Sequence, residues 1–471
     1  CMGQNPQAER VGSWRPWIIP GSQLKSRGIV DALETDIRNG RVQPGSRLPP
    51  QRAIAVALQV DLTTVTRAFN EARRRGLIDA RAGRGTFVRR VIEDRGSGLA
   101  AVPAIDLSLN IPPQPPAARL QHLIPATIAD LLSSEHGMLH LHYQESTGSV
   151  PDRAAAARWL AKRIDDPKPG SLVVASGAQS ALFGVCECLI VPGESIAAGI
   201  ATYPGLRAIA RQRGYKLAPL AMDDSGIIPE SFEESCRHSV PKAIYIIPAI
   251  DNPTTATLPE ERRRRIVEIA RQFRVAIIED DPYSPLLNGG PVSFARLAPE
   301  LTWHIATLSK CATPALRIAY VGAPSEAHAM RLAGVLRAVN LMAPPLNAAV
   351  ASRWIVSGVL DEIREAICEE AAARQKIARA VLDDFAFAAD PHGHHLWLSM
   401  PPHWHAADLA EHAARSGIAV VPSSAFAVAS PVAEAVRISL GAAPDRSALT
   451  QGLKRLSELL VQPVLPARAI I

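Results

Sequence analysis

A chain of 471 residues is too long for one ordinary core, so two or three domains are expected. An apolar fraction of 47% with 20% charged residues excludes a disordered or low-complexity chain. There is no uninterrupted apolar run of about 18 residues, which argues against a membrane-spanning helix. Six cysteines in so long a sequence exclude a disulfide framework and read as reduced, buried thiols. The formal charge of +6 is unevenly placed: residues 1–90 carry 16 Lys/Arg against 7 Asp/Glu, so the remainder is slightly acidic. A basic module with a polyanionic partner, joined to a larger neutral body, is the organisation this asymmetry implies.

Residues 1–20 lack the charged-then-apolar build of a signal peptide and read as a flexible arm. Residues 22–39 then read as a helix, with Ser22 as cap and Leu24, Ile29, Leu33 and Ile37 at helical spacing. Asn39-Gly40 ends it, and Pro49-Pro50 opens a second helix from Gln51 to Leu58 with Ala53, Ile54, Ala57 and Leu58 inward. Asp61 is the expected N-cap of a third, Leu62 to Arg75, with Val65, Phe69 and Ala72 on one face. Leu77–Arg81 and Thr86–Arg90, around a glycine-rich tip, read as a β-hairpin studded with arginine. Helix, helix-turn-helix and basic hairpin together make a winged helix-turn-helix, whose third helix would enter the major groove. A small three-helix bundle with an arginine-rich solvated face is the plainer alternative.

The phrases Gly45-Ser46-Arg47-Leu48-Pro49, Gly76-Leu77-Ile78 and Gly83-Arg84-Gly85-Thr86-Phe87-Val88 resemble the GntR-type winged-helix domain. That resemblance implies double-stranded DNA as partner, with Arg52, Thr63, Thr64, Arg67 and the wing residue Arg84 as contacts. Leu62 stands where the family often has arginine; an aliphatic side chain can touch a thymine methyl but cannot pair with guanine or phosphate.

Residues 91–104 read as a linker, and 105–471 as one large domain. Leu172–Ala175, Ser195–Ala197, Ala243–Ile247, Val275–Ile278 and His304–Ala306 are near-continuous apolar strands separated by helical stretches. Such a pattern argues an α/β domain with a mostly parallel sheet covered on both faces, ligands lying at the carboxyl ends of its strands. The residues with chemistry follow those strands. Ser176-Gly177-Ala178-Gln179 opens a helix whose N-terminal N–H groups suit a phosphate, although a plain strand–helix turn has the same look. Tyr203 is a loop aromatic able to stack on a flat heterocycle, or simply to pack. Asn252-Pro253 offers an amide or only a turn. Asp280 ends a buried strand, where a carboxylate can keep a pyridinium nitrogen protonated, and Tyr283 follows three residues on. Lys310, among Thr307 and Ser309 with Arg317 beyond, supplies an amine beside hydroxyl and guanidinium donors.

In this order the set resembles fold-type I pyridoxal-phosphate (PLP) aminotransferases over roughly residues 105–460. The resemblance implies a smaller C-terminal α+β subdomain and makes Lys310 the catalytic Schiff-base lysine. Asp280 is then the partner of the pyridine nitrogen, Asn252 and Tyr283 flank the ring oxygen, and Tyr203 stacks on the ring. By the same resemblance Ala178, Gln179, Thr307, Ser309 and Arg317 hold the phosphate, Tyr143 is donated across a homodimer interface, and Arg437 grips an effector carboxylate. Ala315 and Thr255 stand where glycine is common in the family.

Other segments have plainer readings. His392, His394, His395, His403 and His405 lack accompanying cysteine or carboxylate at ligand spacing, so no metal site is expected. Arg262 to Arg265 reads as a solvated helix face, and Pro112–Pro116 as an extended segment following Asn110-Ile111, where aminotransferases bring a substrate-side loop. A winged helix ahead of an aminotransferase-like domain is the architecture of MocR-type regulators, a branch of the GntR family. That architecture implies a cytoplasmic, homodimeric, PLP-dependent transcriptional regulator that senses PLP or an amino compound through Lys310. A working aminotransferase with an accessory DNA-binding module is the rival reading, and a cofactor-free dimerisation scaffold the third.

Overall fold

The computed structural model describes residues 14, 16–18, 25–38, 42, 46–75, 77–81, 85–88, 105–430 and 432–462. The chain divides into two compact units, Cys1–Ala100 and Ala101–Ile471. In the first, helices Lys25–Arg38, Gln51–Leu58 and Leu62–Arg74 precede antiparallel strands Ile78–Arg81 and Gly85–Val88. Ile29, Leu33, Ile54, Val65, Phe69 and Val88 close its core.

Several details of this unit differ from the sequence reading. The second helix buries Ile54 and Ala55, whereas Ala53 and Ala57 face outward. Asp61 caps the third helix in extended geometry but its side chain makes no capping hydrogen bond. The segment before the second helix joins the wing: Leu48 N donates to Thr86 O at 2.8 Å and Val88 N to Ser46 O at 2.9 Å. Trp14, read as part of an arm, is buried in this core, and its indole N–H, like that of Trp17, donates to Asp36 Oδ2. An aromatic body with one polar edge stays buried at low cost when that edge finds an acceptor. Ser22, Asn39-Gly40 and the wing tip with Arg84 lie outside the described residues.

The second unit is built on a seven-stranded sheet. Its order is Leu172–Ala175, Ala319–Gly322, Thr302–Thr307, Ala276–Asp280, Ala243–Ile246, Ser195–Gly199 and Lys216–Leu220. Only Ala319–Gly322 runs against its neighbours. The reason is length: residues 308–318 are too few for the helical crossover that a parallel return needs. That short return carries both Lys310 and Arg317. Two strands escaped the sequence reading, Ala319–Gly322 and Lys216–Leu220. The latter contains Pro219 and lies at the sheet edge, where a missing N–H leaves no ladder bond unmade.

A smaller α+β layer follows. Its antiparallel strands Phe387–Ala389, His395–Ser399, Ala435–Ser439 and Val421–Pro422 are accompanied by helices Val359–Val381, Ala406–Arg415 and Arg446–Val461. The chain's own start in this unit is woven into that layer, because Ile105–Asp106 pairs in parallel with Ile418–Ala419. Free thiols at Cys186, Cys188, Cys236 and Cys311 are buried, and that of Cys368 is half-buried. Among the described residues no helix is long and apolar enough to cross a membrane.

Candidate cofactor and effector site, with a candidate DNA-reading helix

The strand register places the site's residues along one end of the sheet. Ala175 and Thr307 both stand opposite Ala319, while Asp280 pairs with Ile305 one strand further on. Helix Ala178–Leu189 starts there, with Gly177 at φ +89° as its N-cap. A Cβ on Gly177 would lie 2.8 Å from Arg317 Nη2, so the guanidinium rests directly on this turn. Thr307 Oγ1 donates to Ser309 Oγ at 2.9 Å and accepts from Ser309 N at 3.2 Å. Helix-terminal N–H groups, two hydroxyls and a guanidinium are a donor set suited to a phosphate group.

Asp280 Oδ2 accepts a 2.7 Å hydrogen bond from Tyr245, whereas its buried Oδ1 has no partner. Burial, reinforced by the neighbouring Asp281 and opposed by Tyr245, pushes the Asp280 carboxyl up to about 6. Lys310 lies beyond, its Nζ donating to the backbone oxygen of Asn110. Burial and the Arg437 guanidinium push its amine down to about 8, with Asp280 pulling the other way. A lysine depressed that far holds a larger share of free amine near neutral pH than an ordinary lysine, as a nucleophile toward an aldehyde needs. The unpaired Asp280 oxygen is matched by a protonated ring nitrogen. With the phosphate donors beside them, these groups fit pyridoxal phosphate.

Tyr283 is buried and accepts from Asn110 Nδ2 at 2.7 Å. Tyr203 packs over Gly205, where an added Cβ would come within 2.2 Å of its ring and 2.1 Å of Gln179 Oε1. Gln179 donates to Gly205 O at 3.1 Å and leaves Oε1 buried and unpartnered. Arg437, in strand Ala435–Ser439, donates to Asn252 Oδ1 at 2.8 Å and to Ser108 O at 2.6 Å, with its guanidinium carbon 5.0 Å from the Phe426 ring centroid. The loop bearing Asn252 is held by Arg263, which is 1% exposed and donates to Pro248 O and Leu258 O. The expected solvated helix face is thereby corrected at one position. Arg262, Arg264 and Arg265 do form surface ion pairs, but Arg263 faces inward because loop carbonyls there need a donor.

Tyr143 is the one expected site residue outside this cluster. It is 82% exposed and makes no side-chain hydrogen bond among the described residues. Four neighbours of the site carry no strong sequence signal: Tyr245, Ser108 and the adjacent pair His394-His395. His394 Nε2 lies 2.8 Å from Lys310 O, and His395 bridges Asp251 O at 3.1 Å and Asn110 Nδ2 at 3.4 Å. Burial lowers both imidazoles, to about 4 and about 3, so each sits there neutral. Alternation along strand His395–Ser399 hints at inward side chains, but not at what they meet. Among the described residues no group of three or more His, Cys, Asp or Glu could hold a metal.

In the first unit, helix Leu62–Arg74 buries Val65, Ala68, Phe69 and Ala72. Its opposite face presents Leu62, Thr63 and Arg67 to solvent, with Thr64 half-buried and Arg52 exposed on the preceding helix. Arg75 is tied to Asp31, Glu34 and Glu71 and so is spent within the module.

Comparison with known proteins agrees with both halves. Residues 102–456 match the family of aminotransferase class I and II, and residues 25–88 match the bacterial regulatory proteins of the gntR family. The chain belongs to the aminotransferase class I and II family and carries a GntR-type DNA-binding domain ahead of it. It is a transcriptional regulator of the MocR-type architecture rather than a free-standing transaminase, and pyridoxal phosphate is the cofactor of its large domain. A Bacillus subtilis relative, "Uncharacterized HTH-type transcriptional regulator YdeF", is 30% identical over 95% of this chain and 97% of its own. The Salmonella typhimurium "Vitamin B6 salvage pathway transcriptional repressor PtsJ" is 28% identical over 88% and 94%. Among solved structures, the α-aminoadipate aminotransferase LysN of Thermus thermophilus superposes with TM-score 0.70 at 22% identity. That match covers 78% of this chain and 95% of LysN, and at this identity speaks for the fold alone.

Proposed function

We propose that the large domain senses pyridoxal phosphate, alone or with an amino compound, and thereby sets the affinity of the winged helix for an operator. The observation that carries this reading is the pairing, in one buried site, of a Lys310 amine pushed down to about 8 with an unpartnered Asp280 oxygen. Bound there, pyridoxal phosphate supplies an aldehyde for primary amines and a pyridinium ring that withdraws electrons. Lys310 would hold it through its aldehyde, Asp280 would keep a proton at the ring nitrogen, Asn252 and Tyr283 would flank the ring oxygen, and Tyr203 would stack on the ring. The N-terminus of the Ala178 helix, Gln179, Thr307, Ser309 and Arg317 hold the phosphate. Arg437 receives the anionic group of the effector, so the effector class is a primary amine bearing a carboxylate or sulfonate.

Arg52, Thr63, Thr64, Arg67 and Arg84 contact DNA in this proposal, and Leu62 favours thymine. Met138, Leu139, Leu141 and Tyr143, each at least 54% exposed, support a homodimer whose partner covers them and receives Tyr143. We assign residues 1–20, 21–90, 91–104 and 105–471 to arm, DNA-binding domain, linker and PLP domain, in a cytoplasmic protein. The test is an absorption spectrum with PLP before and after borohydride, beside Lys310→Ala. It is followed by DNA binding at moderate salt, where purely non-specific binding is lost. A cofactor fixed by reduction in wild type but not in the variant, together with sequence-selective binding, is the expected result. The presence of Lys310, Asp280 and Arg437 in one site also favours residual transamination; steady turnover with a keto-acid acceptor would make that the main activity.

A further inference from the structure

The segment Ser108–Asn110 lies between the effector site and the chain that leads to the DNA-binding unit. Two of its backbone oxygens are held by side chains of the site: Arg437 Nη2 donates to Ser108 O at 2.6 Å, and Lys310 Nζ donates to Asn110 O. The Asn110 side chain also donates to Tyr283 in the site at 2.7 Å, while the turn and backbone attachments lie outside it. Asp106 Oδ1 accepts from Ser108 N at 2.8 Å, Ser108 Oγ at 2.7 Å and Leu109 N at 3.3 Å, folding the segment into a tight turn. Ser439 N donates to Leu107 O at 2.7 Å, and Leu107 is fully buried. Immediately upstream, only residues 89–104 separate Ile105 from the wing strand Gly85–Val88.

We propose that Ser108–Asn110 is a coupling strap. An anionic amino compound that takes the Arg437 guanidinium from Ser108 O and Asn252 Oδ1 frees the strap, and the freed strap alters DNA affinity through the chain that continues from it. The inference rests on the effector site proposed above and adds the element by which that site is read out. Arg437 is the discriminating contact, because a guanidinium prefers an anionic bidentate partner to neutral carbonyl and amide oxygens. Amines without an anionic group leave the strap tied by Arg437. The ligand contributes only its differential interaction with the tied and freed strap.

The experiment needs no knowledge of the natural effector. PLP-loaded full-length protein is compared with Arg437→Gln, Arg437→Lys and Asp106→Ala, using a DNA duplex selected from a random pool by the wild-type protein. Deuterium uptake is measured over residues 105–111, and DNA affinity by fluorescence anisotropy. Arg437→Gln removes the tie, so it raises uptake over 105–111 and shifts DNA affinity by roughly 5-fold or more, the lower end of coupling between sites. Arg437→Lys keeps one donor and restores part of both. Asp106→Ala loosens the turn from its other side and reproduces the affinity shift, while its cofactor remains fixable by borohydride. Unchanged uptake in Arg437→Gln would overturn the tie. Raised uptake with unchanged DNA affinity in both Arg437→Gln and Asp106→Ala would overturn the coupling. Failure of the wild-type protein to select any duplex or to load PLP strikes the proposed function instead, so the two failures are distinguishable. If Arg437→Gln does not fold, Asp106→Ala carries the test alone, since Asp106 touches neither cofactor nor effector groups.

Discussion

The two units of this chain use charge in opposite ways. The N-terminal module keeps the side chains proposed to read DNA exposed, with Arg52, Thr63 and Arg67 standing in solvent over a small core. The large unit buries Asp280 to 5% exposure and Arg437 to 7%, and places Lys310 among them so that each shifts the others. Exposed cations act on a polyanion at long range, nearly independently, and are screened by salt. Buried groups act at short range and depend on every neighbour. One chain can therefore carry a sequence reader whose parts act nearly separately and a chemical sensor whose parts fail together.

Removing Lys310 is the harshest way to break the contrast. Lys310→Ala is expected to abolish borohydride-fixable cofactor and, with it, the response of DNA affinity to added PLP, while the salt dependence of DNA binding stays unchanged, since no exposed cation is lost; absorption and anisotropy read the two effects. Phe69→Ala, at a position 1% exposed in the small core, is expected to cost about 3–5 kcal/mol. It should melt the DNA-binding module while the large unit keeps its cofactor, as two-step thermal unfolding would reveal. A single cooperative loss of both would refute their independence. Tyr245→Phe removes the hydrogen bond to Asp280 Oδ2 and is expected to weaken cofactor binding by about 1–3 kcal/mol, measured by titration with PLP.

The pH dependence sharpens the same contrast. Lys310 is ammonium below about 8 and free amine above it, so the rate of cofactor attachment should rise with pH through about 8. Asp280 takes up a proton as pH falls through about 6, so cofactor affinity should fall there, and Asp280→Asn should remove that limb. DNA binding in the absence of cofactor should follow neither curve. The smallest change expected is at Arg67: if it meets phosphate, Arg67→Ala flattens the dependence of log affinity on log salt by ~0.9. A changed base preference with an unchanged slope would instead make it a base reader.

Much of the architecture was legible in the sequence because it follows local rules. Residues 51–58 and 62–74 declared themselves as helices by spacing and punctuation. The five apolar runs became sheet strands, and Asp280, Thr307 and Lys310 could be placed at or just past strand ends because side-chain chemistry there interrupts an apolar pattern. The reversed strand Ala319–Gly322 was hidden, since its direction depends on the length of the turn before it. Trp14 was hidden because nothing near it in sequence says that Asp36 will meet its indole N–H.

What the sequence determined by itself, then, is the order of the elements, the basic character of the first and the residue types at the strand ends. The tertiary structure decided how those residues meet. Arg437 reaches Ser108 O across 329 positions and Asn252 across 185, and Lys310 reaches Asn110 O across 200. Such contacts obey no period of the sequence. They exist because the parallel sheet gathers its strand ends at one edge and the C-terminal layer, threaded by the chain's own Ile105–Asp106, folds against them. Only there does burial remove the water that would otherwise hold Lys310 and Asp280 at their ordinary protonation states.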